Sequence, residues 1–100
     1  MEGEPDPLAE LVDLFLKDTP ERLAQMNAAL ANSDGILLEA AAHSLKGSAS
    51  NLGAQKMAAD CALLMQHGRK SEFGPAVGLV RAVAENFGKV KALLLEELRR

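Results

Sequence analysis

Leu8, Val12, Phe15, Thr19, Leu23, Met26 and Leu30 recur every three or four positions. At the α-helical advance of about 100° per residue they fall within about 80° of one another, which is one buried stripe on one long helix. The phase survives Thr19-Pro20, so a single helix over about residues 8–31 is expected, kinked near Pro20 where the ring removes a backbone hydrogen bond. A sheet is disfavoured, because the chain holds three Phe and no Trp or Tyr while Ala and Leu abound.

Three more stripes follow. Asn32-Ser33-Asp34-Gly35 is turn chemistry, with Asp34 placed to cap a second helix over 35–52 that Gly53 ends as a C′ glycine. Ala54, Met57, Cys61, Leu64 and Met65 predict a third helix over 54–67, stopping at Gly68 and followed by a polar loop, Arg69-Lys70-Ser71-Glu72. Gly74-Pro75 opens the last helix, 75–98, in which Ala76, Val80, Val83, Phe87, Val90 and Leu94 recur with the spacing of a bundle seam and Leu98 extends it. Short loops imply antiparallel neighbours, so the expected fold is all-α, an antiparallel up-down-up-down four-helix bundle. One hundred residues suffice for a single core, which needs no second copy, and a monomer is expected. Residues 1–7, with Pro5 and Pro7 and no periodicity, read as a flexible tail or linker ahead of one domain over 8–100.

Charge and cysteine usage exclude several function classes. Eleven Lys and Arg are scattered among fourteen acids, net −3, with no basic stripe to follow a nucleic-acid backbone or an anionic membrane. The single Cys61 cannot form an internal disulfide and belongs to no CxxC pair, so a stapled secreted scaffold and a cysteine zinc site are not expected. No apolar run reaches the length of a membrane span, and the acidic opening Met1-Glu2-Gly3-Glu4 is unlike a signal peptide. The expected location is cytoplasmic.

His43 is the residue out of place. With His43 at zero, Leu38, Ala41, Leu45, Ala49 and Leu52 lie between about 160° and 240°, so the imidazole faces away from the core. On its own face lie Glu39, Lys46, Gly47 and Ser50, with Ile36 two turns earlier. Gly47 is the odd choice, since glycine within a helix is about 1 kcal/mol less favourable than alanine. A missing side chain one turn beyond His43 leaves the ring open to a reactive group brought by a second protein. A histidine titrates ordinarily near pH 6.5, so most such rings are neutral and nucleophilic at pH 7. Lys46 is poorly placed to favour imidazolium but well placed to neutralise a phosphoryl group on the ring.

The stretch Ala42-His43-Ser44-Leu45-Lys46-Gly47-Ser48-Ala49-Ser50-Asn51-Leu52-Gly53-Ala54 resembles the signature of histidine-containing phosphotransfer (HPt) domains of two-component phosphorelays. Similarity continues through Phe15-Leu16 to Leu30 and in the last helix. The resemblance implies a four-helix bundle whose exposed His43 accepts phosphate, at its Nε2, from the phospho-aspartate of one response-regulator receiver domain and passes it to the aspartate of another. Lys46 would stabilise the phosphate and Gly47 would give access. The resemblance further implies that no cofactor is bound by this domain, that Mg²⁺ resides on the receiver partner, that a hybrid sensor kinase is a further partner, and that the domain is a carrier without autokinase activity. Met65-Gln66 departs from the Glu that the resemblance leads one to expect after the third-helix leucine.

Other readings fit less well. A histidine-kinase dimerisation domain resembles a pattern with an acidic residue directly after the histidine, where this chain has Ser44, and no glycine-rich nucleotide loop is present. No paired carboxylates or Ser-His-Asp arrangement can be placed in a pocket. A helical interaction module using the same face without phosphate transfer is the alternative. His67 suits the helix dipole near a C-terminus, Cys61 and Met26, Met57 and Met65 read as packing, and Asp60, Cys61 and His67 do not converge on a metal. Ser48 reads as a small residue permitting close helix contact. Leu11, Leu14 and Leu16 lie off the core stripe; they and Ile36 read either as ordinary exposed apolar area or as a receiver-docking patch, with Lys46 and Arg22 on its polar rim.

Overall fold

A computed structural model of the chain describes residues 6–98. Four helices follow in order: α1 Pro7–Ala31, α2 Gly35–Asn51, α3 Gln55–Lys70 and α4 Phe73–Leu98. Short connections fold each helix back along its predecessor, and α1 packs against α4 to close the ring into an elongated bundle of 49 × 21 × 19 Å. No strand occurs among the described residues.

Local chemistry explains the boundaries. Asp6 caps α1 by accepting from the Leu8 N–H at 3.0 Å, and Pro7 occupies the first turn, where its missing N–H leaves no bond unmade. Of the expected tail over residues 1–7, therefore, Asp6 and Pro7 belong to the helix start, and residues 1–5 lie outside the described residues. α1 continues unbroken through Pro20. Proline denies the Leu16 carbonyl its usual donor, and beside it the Thr19 hydroxyl donates to the Phe15 carbonyl at 2.7 Å, which lets a buried threonine satisfy itself within the helix. Asp34 Oδ1 accepts from the Leu37 N–H at 3.0 Å to start α2, and Gly53, at φ +74°, ends it.

α3 departs from the sequence expectation. It does not stop at Gly68 but runs to Lys70 and ends on Ser71 in the left-handed region at φ 57°. Gly68 is buried inside the helix, because the backbone of α2 presses on it. A Cβ at Gly68 would lie 2.8 Å from the Gly35 carbonyl oxygen and 2.9 Å from the Glu39 nitrogen, and one at Gly35 would collide with the Gly68 carbonyl. The two glycines let two helix backbones touch. Arg69 and Lys70 are accordingly helical rather than part of a loop. α4 likewise begins two residues before Pro75, at Phe73, since a proline within the first turn forfeits no helical bond.

The core is built from the four stripes. Phe15, Met26, Leu38, Leu45, Met57, Leu64 and Val83 are buried, and Phe15 meets Phe87 edge-to-face at 5.4 Å between centroids. α1 and α4, at 25 and 26 residues, outrun α2 and α3, at 17 and 16. α2 ends level with Leu11, whose side chain shares a groove with Leu52. Leu8, expected in the stripe, and Leu98 are therefore exposed where the long helices extend past the α2–α3 turn. Leu16, expected off the stripe, packs instead against the core.

Cys61 is fully buried, and its thiol is pushed up to about 12 by desolvation first and the neighbouring Asp60 carboxylate second. The thiolate is the nucleophile, so at pH 8 the folded protein is expected to resist alkylation by iodoacetamide and to react quantitatively only once denatured. Fast labelling of the native protein would show that the α3 seam is not closed.

Candidate functional site

α2 presents two faces of opposite character. Leu38, Ala41, Ala42, Leu45 and Ala49 are buried, while His43, Lys46, Gly47 and Ser50 are exposed. The helix cannot rotate to hide the histidine, because its N-terminal half is locked to α3 at Gly35 and Gly68 and its apolar side fills the core. His43 stands mid-helix on a rigid element, with its ring in solvent. Nothing lies within 4 Å of the place a Cβ would occupy at Gly47, so no contact inside the protein demands glycine there. Lys46, three residues after His43, has no salt-bridge partner within the described residues.

Two grooves flank this face. On the α3 side, Ile36, Glu39, Ala40 and His43 line a groove of about 330 Å³ together with Met65 and Arg69. On the α1 side, Leu11, Leu14 and Phe15 meet Ser48, Asn51 and Leu52 in a narrower cleft, with Ser48 half-buried and its hydroxyl donating to the Ser44 carbonyl at 3.4 Å. Ile36 and Leu14 are 85% and 61% exposed, which makes them protruding apolar groups on either side of the histidine face. Arg22 lies on α1 and lines neither groove. Its guanidinium is held on α1 by Asp18, with Nε to Oδ2 at 3.2 Å and Nη2 to Oδ1 at 3.1 Å, and by Gln25 Oε1 at 3.0 Å.

The sequence reading overlooked Arg69 and treated Met65 only as packing. Both side chains border the groove that holds His43, and Arg69 Nε donates to Glu39 Oε2. Their i,i+4 spacing was available as a signal, but reading Gly68 as a helix stop put Arg69 in a loop. His67 pairs through Nδ1 with Glu72 Oε1 at 3.1 Å near the end of α3, away from this groove. Among the described residues no group of His, Cys, Asp or Glu could hold a metal ion, and no helix is long and apolar enough to cross a membrane.

A four-helix bundle that offers one outward histidine on a fixed helix, flanked by a lysine and an open glycine, defines a helical histidine-presenting module. The comparisons with known proteins agree with that class. The family model for the Hpt domain matches residues 10–99, nearly the whole chain. The chain is 37% identical to histidine-containing phosphotransfer protein B of Pseudomonas aeruginosa PAO1, whose crystal structure superposes with a TM-score of 0.86 over 90% of this chain and 78% of that one. It is 35% identical over 63 residues to histidine-containing phosphotransfer protein 5 of Arabidopsis thaliana, a match that takes in 60% of this chain and 40% of the plant protein's length. This chain belongs to the Hpt domain family.

Proposed function

We propose that this domain is a phosphorelay carrier, accepting a phosphoryl group on His43 from the aspartyl phosphate of one receiver domain and delivering it to the aspartate of another. The observation that carries the reading is the solvent-facing imidazole of His43 beside the open flank at Gly47. The lone pair of Nε2 attacks phosphorus in line, the N–P bond forms as the P–O bond to the receiver aspartate breaks, and that aspartate leaves as a carboxylate. Nδ1 keeps its proton, so the step needs no general base. Reversal onto a second receiver returns the neutral ring. Lys46 offsets negative charge on the phosphoryl oxygens, and its exposure leaves it free to do so. In this reading the receiver contributes Mg²⁺ and the catalytic groups, the domain has no autokinase activity, and the apolar side chains of Ile36 and Leu14 meet the receiver surface around His43.

The reading makes Gly47 a requirement of the partner and not of the fold. Gly47→Gln is expected to fold normally and to accept phosphate from the small donor phosphoramidate at close to the wild-type rate. Transfer from a phosphorylated receiver should fall about 10–100-fold, because a side chain beside the ring displaces the incoming acyl phosphate by an ångström or more. Equal transfer rates from the receiver to Gly47→Gln and wild type would remove the access argument.

A further inference from the structure

Met65 forms part of the wall of the His43 groove, and the transfer step leaves it unused. It stands where the sequence departs from the expected Glu, and it lines the groove of about 330 Å³ together with Ile36, Ala40 and His43. The methionines of the bundle differ in access. Met26 and Met57 are fully buried in the core, whereas Met65 packs against the core on one side and borders the groove on the other. Cys61, the sulfur one turn earlier on α3, is also fully buried. Met65 is therefore the one sulfur among the described residues that a small oxidant entering the groove can reach. A thioether carries no proton to lose, so unlike a cysteine it reacts without activation by its neighbours.

We infer that Met65 is a reversible oxidation site at which hydrogen peroxide weakens receiver docking beside His43; the inference rests on His43 being the phosphoacceptor for a receiver. A sulfur lone pair attacks one peroxide oxygen, the S–O bond forms as the O–O bond breaks, and the departing hydroxide takes the proton of the transferred oxygen and leaves as water. Sulfur is oxidised by two electrons and peroxide is reduced. The product is methionine sulfoxide, which a sulfoxide reductase returns to the thioether. The consequence follows from what the groove offers a partner. Met65 supplies a deformable apolar wall on α3, and Ile36, 85% exposed, supplies an apolar knob on α2. A receiver surface that covers both must then bury a strong S=O dipole without a matching donor, which is unfavourable. The imidazole is unchanged, so its reaction with a small donor is unaffected.

The domain is treated with hydrogen peroxide, its oxidised positions are mapped by peptide mass spectrometry, and phosphorylation is followed separately from a phosphorylated receiver and from phosphoramidate. Wild type, Met65→Leu and Met65→Gln are compared, each checked for native helicity and melting. One oxygen is expected on Met65, with Met26 and Met57 unmodified until the protein is denatured. Transfer from the receiver to the oxidised wild type should fall about fivefold in kcat/KM, through KM, while phosphoramidate labelling keeps its rate. Reductase treatment should restore transfer. Met65→Leu should transfer as the wild type does and ignore peroxide, and Met65→Gln should be slow with the receiver before any peroxide is added. Oxidation of Met26 or Met57 as fast as Met65 overturns the inference, as does undiminished receiver transfer after Met65 is oxidised. So does an equal loss in peroxide-treated Met65→Leu, or a parallel loss of phosphoramidate labelling, since either places the damage elsewhere. An untreated wild type that accepts phosphate from no receiver, or label that survives His43→Gln, overturns the phosphoacceptor reading itself and is distinguishable from all of these.

Discussion

Gly68→Ala is expected to melt about 10 °C below the wild type, whereas Gly47→Ala, the same substitution on the neighbouring helix, should melt at or above it. Both residues are within helices, where alanine gains about 1 kcal/mol over glycine. At Gly47 that gain is unopposed, because the new methyl group meets nothing within 4 Å. At Gly68 the methyl would sit 2.8 Å from the Gly35 carbonyl oxygen and 2.9 Å from the Glu39 nitrogen. Neither atom can rotate aside, since both are backbone, so α2 and α3 must separate. Overpacking of this kind costs about 3 kcal/mol, leaving a net loss of roughly 2 kcal/mol and, for a domain of this size, about 4–8 °C per kcal/mol. Thermal melts followed by helical circular dichroism check the pair. A Gly68→Ala melt at or above the wild type would mean that the two backbones do not touch. Separation would also draw Arg69 away from Glu39 and widen the groove at His43.

The sequence carried the architecture because each helix has one apolar stripe and each turn has its own chemistry. Asp34 and Gly53 bound α2 in the structure as their residue types require. The outward direction of His43 followed from the same periodicity: once Leu38, Leu45 and Ala49 are inside, a residue half a turn away has nowhere to go but solvent. Gly68 defeated the reading for a physical reason. Glycine serves equally as a left-handed helix stop and as a place where two backbones meet, and only the position of Gly35 across the interface distinguishes the roles. The same ambiguity hid Arg69. Periodicity alone could not show that Arg22, placed on the rim, is held by its own-helix partners Asp18 and Gln25.

His43→Gln is expected to abolish phosphorylation outright while leaving the fold intact. The amide keeps polar character at an exposed position but offers no nucleophilic ring nitrogen, and surface substitutions of this type change stability by about 0.5 kcal/mol or less. Neither His67, paired with Glu72 away from the groove, nor buried Cys61 offers a substitute nucleophile there. The exposed serines that share the helix, Ser44 and Ser50, would form a phosphate ester of opposite stability if they reacted, so linkage chemistry separates them from histidine.

The most direct measurement is the acid and base stability of the label after the domain is incubated with a phosphorylated receiver and Mg²⁺, wild type beside His43→Gln. The account predicts label on the wild type alone, lost in acid and retained in base, as a phosphoramidate bond to imidazole requires. Label that survives acid, or equal label on His43→Gln, or receivers that bind both forms tightly yet transfer to neither, would contradict it.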